Sequence, residues 1–170
     1  MTLEFRKATA ADADQIWHIL EKAIARRKAE GSDQWQDGYP NPAIVAYDIE
    51  NDHGYVLVAG DKIAGYVALL INDEPAYLDI KGKWLTDGDF VVYHRVAISD
   101  EFLGQGLAQQ MLTHIDSYAL ENGITSVRAD TNFDNKGMLR IFEKQGYVYC
   151  GEVFFRDAAR LAYEKVLNAG

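Results

Sequence analysis

Six residues in the middle of the chain have the spacing of an anion cradle: Leu103-Gly104-Gln105-Gly106-Leu107-Ala108. Two glycines separated by one residue let the main chain approach a ligand closely. The N–H groups that open a following helix have no acceptor within that helix. Such a helix start suits a pyrophosphate, through its donors and through the positive end of its dipole. Other reactive side chains are sparse. Cys150 is the only cysteine, and its strand-like surroundings read as a buried thiol rather than a nucleophile. No group of histidine, cysteine and carboxylate residues has metal-ligand spacing, so no metal is expected.

The cradle lies between two well-marked elements. Upstream, residues 90–98 are almost continuously apolar, as in a central strand covered on both faces. Downstream, Leu107, Met111, Leu112, Ile115 and Ala119 recur at helical spacing until Asn122-Gly123 stops the helix. The second half then reads as a strand over 124–131, a helix over 135–145 closed by Gly146, and a strand over 147–155. Residues 160–167 fit neither period cleanly. The first half opens with a strand over 3–8. A helix follows, with Thr9 and Asp12 placed as a capping box and a core stripe of Ile16, Ile19, Leu20, Ala23 and Ile24. Residues 32–42 read as a loop and 43–51 as a short helix. Residues 55–59 and 63–71 read as a hairpin turning at Gly60-Asp61-Lys62. Residues 72–88 read as a loop or a short strand. No repeat, low-complexity segment or linker interrupts the chain, so one domain over residues 1–170 is expected.

A dinucleotide fold would place G-x-G-x-x-G directly after a strand. Here the third glycine position is Gln109, several residues part strand from loop, and a hairpin precedes the motif in place of a repeated βαβ unit. Asp130 lies roughly where a ribose-binding acid would sit, which keeps an oxidoreductase as the third-ranked reading. No G-x-x-x-x-G-K-[ST] occurs, so a nucleotide P-loop is excluded.

The segment from Leu103 to Ala108 resembles the pyrophosphate loop of the GNAT acetyltransferases, [QR]-x-x-G-x-[GA], at its glycine and alanine positions. It departs at Leu103, where the family usually has glutamine or arginine. His94-Arg95-Val96-Ala97-Ile98 is similar to the family's central strand, and residues 135–147 are similar to its N-x-x-[AM]-x-x-[LI]-[YF]-E-K-x-G-[FY] segment. The resemblance covers essentially the whole chain. It implies an α/β fold, a three-layer arrangement with a central mixed sheet of about seven strands and helices on both faces, in which residues 160–167 form a closing strand.

The resemblance also implies a working site for acetyl-CoA. The strand near Ile98 and the strand from Ile124 would splay apart and receive the pantetheine arm. One N–H among Val96, Ala97 and Ile98 would polarise the thioester carbonyl and hold the oxyanion that develops there. Residues 103–108 would bind the pyrophosphate, with Asn135 and, more weakly, Asn132 at the next helix. An acceptor amine that titrates near ~10.4 must lose a proton before it attacks. His94 matches a histidine on the same strand of arylalkylamine acetyltransferases and titrates near ~6.5 unperturbed, so it is the preferred base or water relay, although a strand histidine is often only structural. Asp130 and Glu74 are weaker alternatives. Many relatives carry a tyrosine at the position of Phe142 to protonate the leaving thiolate; here Tyr147, Thr131 or water would have to substitute. Trp35, Tyr39, Tyr77 and Trp84 fall in loops, where they would line an acceptor pocket, form a dimer surface or cap the core.

Composition narrows the partners. The 170-residue chain is 48% hydrophobic and carries a formal charge of −9, which argues against a nucleic-acid binder and suits a cationic small-molecule or peptide amine. The N-terminal residues lack the apolar run of a signal peptide, and no stretch approaches the ~18 apolar residues of a membrane span. A cytoplasmic protein is therefore expected, and family analogy allows a homodimer. The leading reading is an N-acetyltransferase. The alternative from another class is a non-catalytic acyl-CoA-binding sensor or subunit, which the departures at Leu103 and Phe142 keep open.

Overall fold

The computed structural model describes residues 2–155 and 158–168. In chain order its elements are β1 (Leu3–Lys7), α1 (Ala13–Ala29), α2 (Pro42–Glu50), β2 (Gly54–Ala59), β3 (Lys62–Ile71), β4 (Lys81–Gly82), β5 (Val91–Ile98), α3 (Leu107–Glu121), β6 (Ser126–Thr131), α4 (Lys136–Lys144), β7 (Val148–Phe155) and β8 (Ala158–Val166). The strands run in the order β1-β2-β3-β5-β6-β8-β7-β4. The fold is mixed α/β as expected. Among the described residues there are eight strands against the expected seven or so; the additional one is β4, in the segment read as a loop or a short strand.

The chain divides into two compact units, Met1–Leu69 with His94–Met111, and Leu70–Tyr93 with Leu112–Gly170. In unit one, β1 pairs antiparallel with β2 from Leu3↔Ala59 to Lys7↔Tyr55, and β2 pairs antiparallel with β3 across a bulge at Leu57/Val58. The predicted stripe of α1 buries Ile16, Ile19, Leu20 and Ala23 against Val56, Ile63, Tyr66 and Ala97, with Ile24 half-buried at its edge. Burial of each such side chain contributes about 1.5–3 kcal/mol. Before α1, the Asp12 carboxylate accepts from Thr9 N–H at 2.8 Å and from Arg6 at 2.8 Å, so the predicted Thr9/Asp12 cap is tied to β1. Helix α2 starts one residue earlier than the pattern suggested, because Asn41 accepts from Ile44 N–H at 2.9 Å and Pro42 suits the first helical position.

Unit two contains the antiparallel set β6-β8-β7-β4. Pairs run from Ser126↔Val166 to Thr131↔Leu161 for β6 and β8, and from Val148↔Glu164 to Phe155↔Ala158 for β7 and β8, so the ambiguous C-terminal segment is a strand. Strands β5 and β6 are parallel at Val91↔Val127 and Val92↔Arg128. Strand β4 meets β7 at Gly82↔Gly151. A Cβ on Gly82 would lie 2.1 Å from the Cys150 carbonyl oxygen, and one on Gly151 would lie 2.2 Å from that of Lys81. Only paired glycines permit so close a contact, and a two-residue strand made this way leaves no periodic trace in the sequence.

Candidate active site

In unit one the chain leaves β5 through Ser99, whose N–H donates to the Ala64 carbonyl at 2.8 Å, and makes a 3-10 turn over Asp100–Phe102. Two acids thus stand beside the glycine loop, and each has a cation. Arg26 of α1 pairs with Asp100 and donates to the Ile98 carbonyl at 3.0 Å, while Lys62 lies 3.2 Å from Glu101. These pairs offset the negative charge beside the glycine loop. Gly104 and Gly106 have φ of +77° and +74°, conformations that carry a steric cost for any side chain. Open space surrounds the position a Cβ would take on either glycine, so the backbone there is reachable. Helix α3 begins three residues later than Gly104, because two left-handed residues cannot join a right-handed helix. Its first turn closes with Gln110 N–H donating to the Gly106 carbonyl at 3.2 Å. Leu103 is 45% exposed, whereas Leu107 is buried. At Gly65 of β3, an added Cβ would meet Ile98 Cδ1 and Met111 Cε at 2.9 Å, so the absence of a side chain there lets β5 and the start of α3 pack together.

The candidate thioester-binding strand holds His94, Arg95 and Val96 half-buried and Ala97 and Ile98 buried. Arg95 has φ +59°, a left-handed residue inside a strand, which carries a local cost of about 1–2 kcal/mol for a non-glycine. Its side chain is 8% exposed and forks onto the fully buried Asp48 of α2, with Nε to Oδ2 at 2.9 Å and Nη2 to Oδ1 at 2.7 Å. Arg95 also donates to the Tyr39 hydroxyl, and the Tyr66 hydroxyl donates to Asp48 at 2.6 Å. Burial pushes the Tyr66 phenol well above its ordinary range, reinforced by the Asp48 charge. Burial opposes the charge on Arg95, but Tyr39 and Asp48 outweigh it and hold the guanidinium protonated. Sequence reasoning missed both Arg95 and Asp48. The available signal was an acid following the apolar run Pro42–Tyr47 and preceding Ile49 within a short helix.

Unit two holds the other candidates. Asn135 caps α4, its side chain accepting from Met138 N–H at 3.2 Å, and Asn132 donates to Asp134 at 2.8 Å. Phe142 is fully buried, with its ring 5.0 Å from that of Tyr147 and 4.8 Å from that of Tyr163. The Tyr93 hydroxyl donates to Tyr147 at 3.1 Å, and burial keeps both phenols protonated well beyond neutral pH. Thr131 is buried as well. Cys150 is buried, and desolvation raises its thiol pKa, as befits an inert side chain.

The four loop aromatics fall two to each unit. Trp35 joins the core of unit one, with the Arg27 guanidinium 3.8 Å from its ring centroid, and Tyr39 belongs to the Arg95 network. In unit two Tyr77 is buried, and its hydroxyl donates to Asp130 at 2.6 Å; Trp84 donates its N–H to the Tyr77 carbonyl at 3.0 Å. Asp130 is 3% exposed and also faces Arg160 at 3.2 Å, so this carboxylate is committed to structural partners. Glu74 caps the turn over Pro75–Asp79. Trp84 and Phe90 stack with Arg128, whose ion pair with Glu164 spans 3.3 Å. Burial would raise the Glu164 pKa, but hydrogen bonds from Ser126, Thr86 and Leu85 and the charge of Arg128 together lower it.

Among the described residues, no three His, Cys, Asp or Glu side chains stand together as metal ligands, and no helix is long and apolar enough to cross a membrane. A reachable glycine loop at a helix start, following a strand of a mixed sheet that carries one left-handed residue, defines an α/β fold with a candidate anion site. Comparison with known proteins makes the class specific. The pattern of the Acetyltransferase (GNAT) family matches residues 16–147, and the chain belongs to that family. It is an acetyltransferase. A GNAT-family acetyltransferase from Streptococcus agalactiae is 38% identical, superposes with a TM-score of 0.89, and is covered to 96% by 98% of this chain. The uncharacterized N-acetyltransferase YesJ of Bacillus subtilis is 27% identical over 148 residues, 85% of this chain and 81% of that protein. In fold alone, the chain is also similar to yncA from Salmonella typhimurium, solved with its cofactor acetyl-CoA. That pair is 14% identical with a TM-score of 0.69, over 100% of this chain and 96% of the other.

Proposed function

We propose that the whole chain acts as one acetyl-CoA-dependent N-acetyltransferase domain that transfers an acetyl group to a primary amine by direct attack on the thioester. The observation that carries the reading is the pair of left-handed, open-faced glycines, Gly104 and Gly106, at the start of α3. Leu103, Gln105, Leu107 and Ala108 complete the loop, and its main-chain N–H groups would hold the pyrophosphate. Because backbone donors supply that binding, the leucine at 103 weakens it without abolishing it. Asn132 and Asn135 would bind the cofactor at the next helix. Acetyl-CoA supplies an activated acyl carbon with a thiol as leaving group. An N–H of Val96, Ala97 or Ile98 would polarise the carbonyl. His94 would take a proton from the acceptor ammonium, directly or through a water, so that the neutral amine attacks and the thiolate leaves. A thiol near ~8.5 leaves without strong acid assistance, so the buried Phe142 is compatible with turnover.

The net charge of −9 favours a cationic acceptor in the cytoplasm, either a small molecule or a peptide. A second reading is a non-catalytic acyl-CoA sensor, favoured by the absence of a hydroxyl at Phe142.

The test begins with thermal stability in acetyl-CoA, coenzyme A, NAD and NADP at matched concentrations. A ligand at 100 times its dissociation constant adds about 2.7 kcal/mol. Stabilisation by the two coenzyme A species alone, followed by thiol release with a panel of amines, supports the transferase. Stabilisation without turnover favours the sensor. No response to either species overturns both readings. Replacing His94 by alanine should lower the rate most between the ordinary imidazole and amine pKa ranges, where a free base meets an ammonium acceptor, and an unchanged pH profile removes it from the mechanism.

A further inference from the structure

Arg95 is an unusual residue to find left-handed inside a strand. Glycine would adopt φ +59° without a Cβ conflict, yet the position carries a long side chain whose charge is buried. The φ and ψ of Arg95 set the direction of the next peptide plane, and therefore the direction in which Val96 N–H points. An isolated left-handed residue of this type persists only where its surroundings fix it. Here they do. Asp48 accepts from Nε and Nη2 of the guanidinium at 2.9 and 2.7 Å, Tyr39 accepts from Nη1, and Asp48 is itself held by Tyr66 at 2.6 Å. The planar fork makes this a two-point attachment, which fixes orientation as well as position.

We propose that Arg95 and Asp48 form a positioning pair for acetyl transfer: by anchoring the left-handed backbone at Arg95 in β5, they aim the backbone N–H groups after Arg95 at the thioester carbonyl. The pair touches no reacting atom. This inference rests on the acetyl-CoA reading above and adds to it a device that makes the oxyanion donor directional. It also accounts for a fully buried carboxylate on a short, mostly apolar helix. The ion pair fixes one backbone conformation where glycine would allow several.

The experiment compares wild-type protein with Asp48→Asn and Arg95→Lys. Asparagine removes the charge, and lysine retains a cation but loses the fork. Three quantities are read: the dissociation constant for acetyl-CoA, kcat for thiol release with the best acceptor of an amine panel, and the infrared carbonyl band of bound acetyl-CoA carrying 13C at the acetyl carbonyl. The expected result is a dissociation constant within about threefold of wild type, because pyrophosphate binding lies elsewhere. The same variants should lose about tenfold or more in kcat, with the carbonyl band moving up toward its frequency in free acetyl-CoA. A merely structural pair would lower thermal stability and leave kcat and the band at wild-type values, and that result overturns the proposal. So does a fall in kcat with an unmoved band. If Asp48→Asn does not fold, Arg95→Lys decides by the same criteria. Wild-type protein that binds no acetyl-CoA would instead refute the transferase reading, so the two failures are distinct.

Discussion

Among the described residues, each unit contains one arginine paired with a fully buried carboxylate, and the two pairs do different work. In unit two, Arg128 and Glu164 lie on adjacent regular strands. Glu164 also accepts from Leu85 N–H at 2.6 Å and from the Thr86 and Ser126 hydroxyls at 2.5 Å, so the loop between β4 and β5 is fastened to β6 and β8. In unit one, Arg95 is the distorted residue itself, and Asp48 holds the distortion in place. The same chemical pair serves as a fastener where its backbone is ordinary and as a guide where its backbone is strained. A buried ion pair is therefore informative about function only when read together with the φ of the residues that carry it.

The contrast is broken most forcefully at Glu164. Replacement by alanine strands Arg128 and removes the acceptor of three donors, so stability should fall by about 3–5 kcal/mol. A guanidinium melt would measure the loss, and kcat of the remaining folded protein should stay near wild type. A tenfold loss of kcat would mean that this pair is a guide as well. Next in size is Gly151→Ala, which forces a methyl group against the Lys81 carbonyl and should cost about 2 kcal/mol. A melting temperature equal to wild type would show that β4 can detach freely. Gly106→Ala meets no protein atom, but the left-handed φ should cost about 1 kcal/mol. Its larger consequence should be at least a tenfold weaker binding of coenzyme A, measured by calorimetry, and unchanged affinity would remove the loop from the site.

The smallest effect concerns charge alone. Arg6 beside Asp12 lowers that carboxyl to about 2, against burial that would raise it. A depressed acid stabilises the fold above its unfolded pKa near ~4, and that contribution is lost as pH falls through about 2. Because Arg6 is partly exposed, the pair should contribute only about 1 kcal/mol. Melting temperatures of wild type and Asp12→Asn should accordingly differ at pH 6 and converge toward pH 2; a gap constant across that range would refute the linkage.

The sequence was most legible where burial repeats with a fixed period. The stripe Leu107, Met111, Leu112, Ile115 and Ala119 is buried as predicted, and so is the α1 stripe apart from its edge at Ile24. The glycine loop was legible because both glycines are needed for local backbone reasons. Features that depend on long-range contact were not. Arg95 carries no mark of its left-handed φ, since its fixing partners lie 47 and 56 residues away. Gly82 and Gly151 read as ordinary loop and strand glycines until their backbones are seen to touch. The four loop aromatics were identified as notable residues, yet Trp35 and Tyr77 owe their burial to packing that no local pattern announces.

Gly65 places a boundary on how this protein can change over time. With Ile98 and Met111 already within 2.9 Å of a would-be methyl group, even alanine at this position would force neighbouring atoms aside. The route to change around the glycine loop through β3 is therefore narrow, and drift is channelled to the solvent-facing Leu103 and Gln105. The departure from the family pattern at Leu103 falls where the architecture leaves sequence freedom.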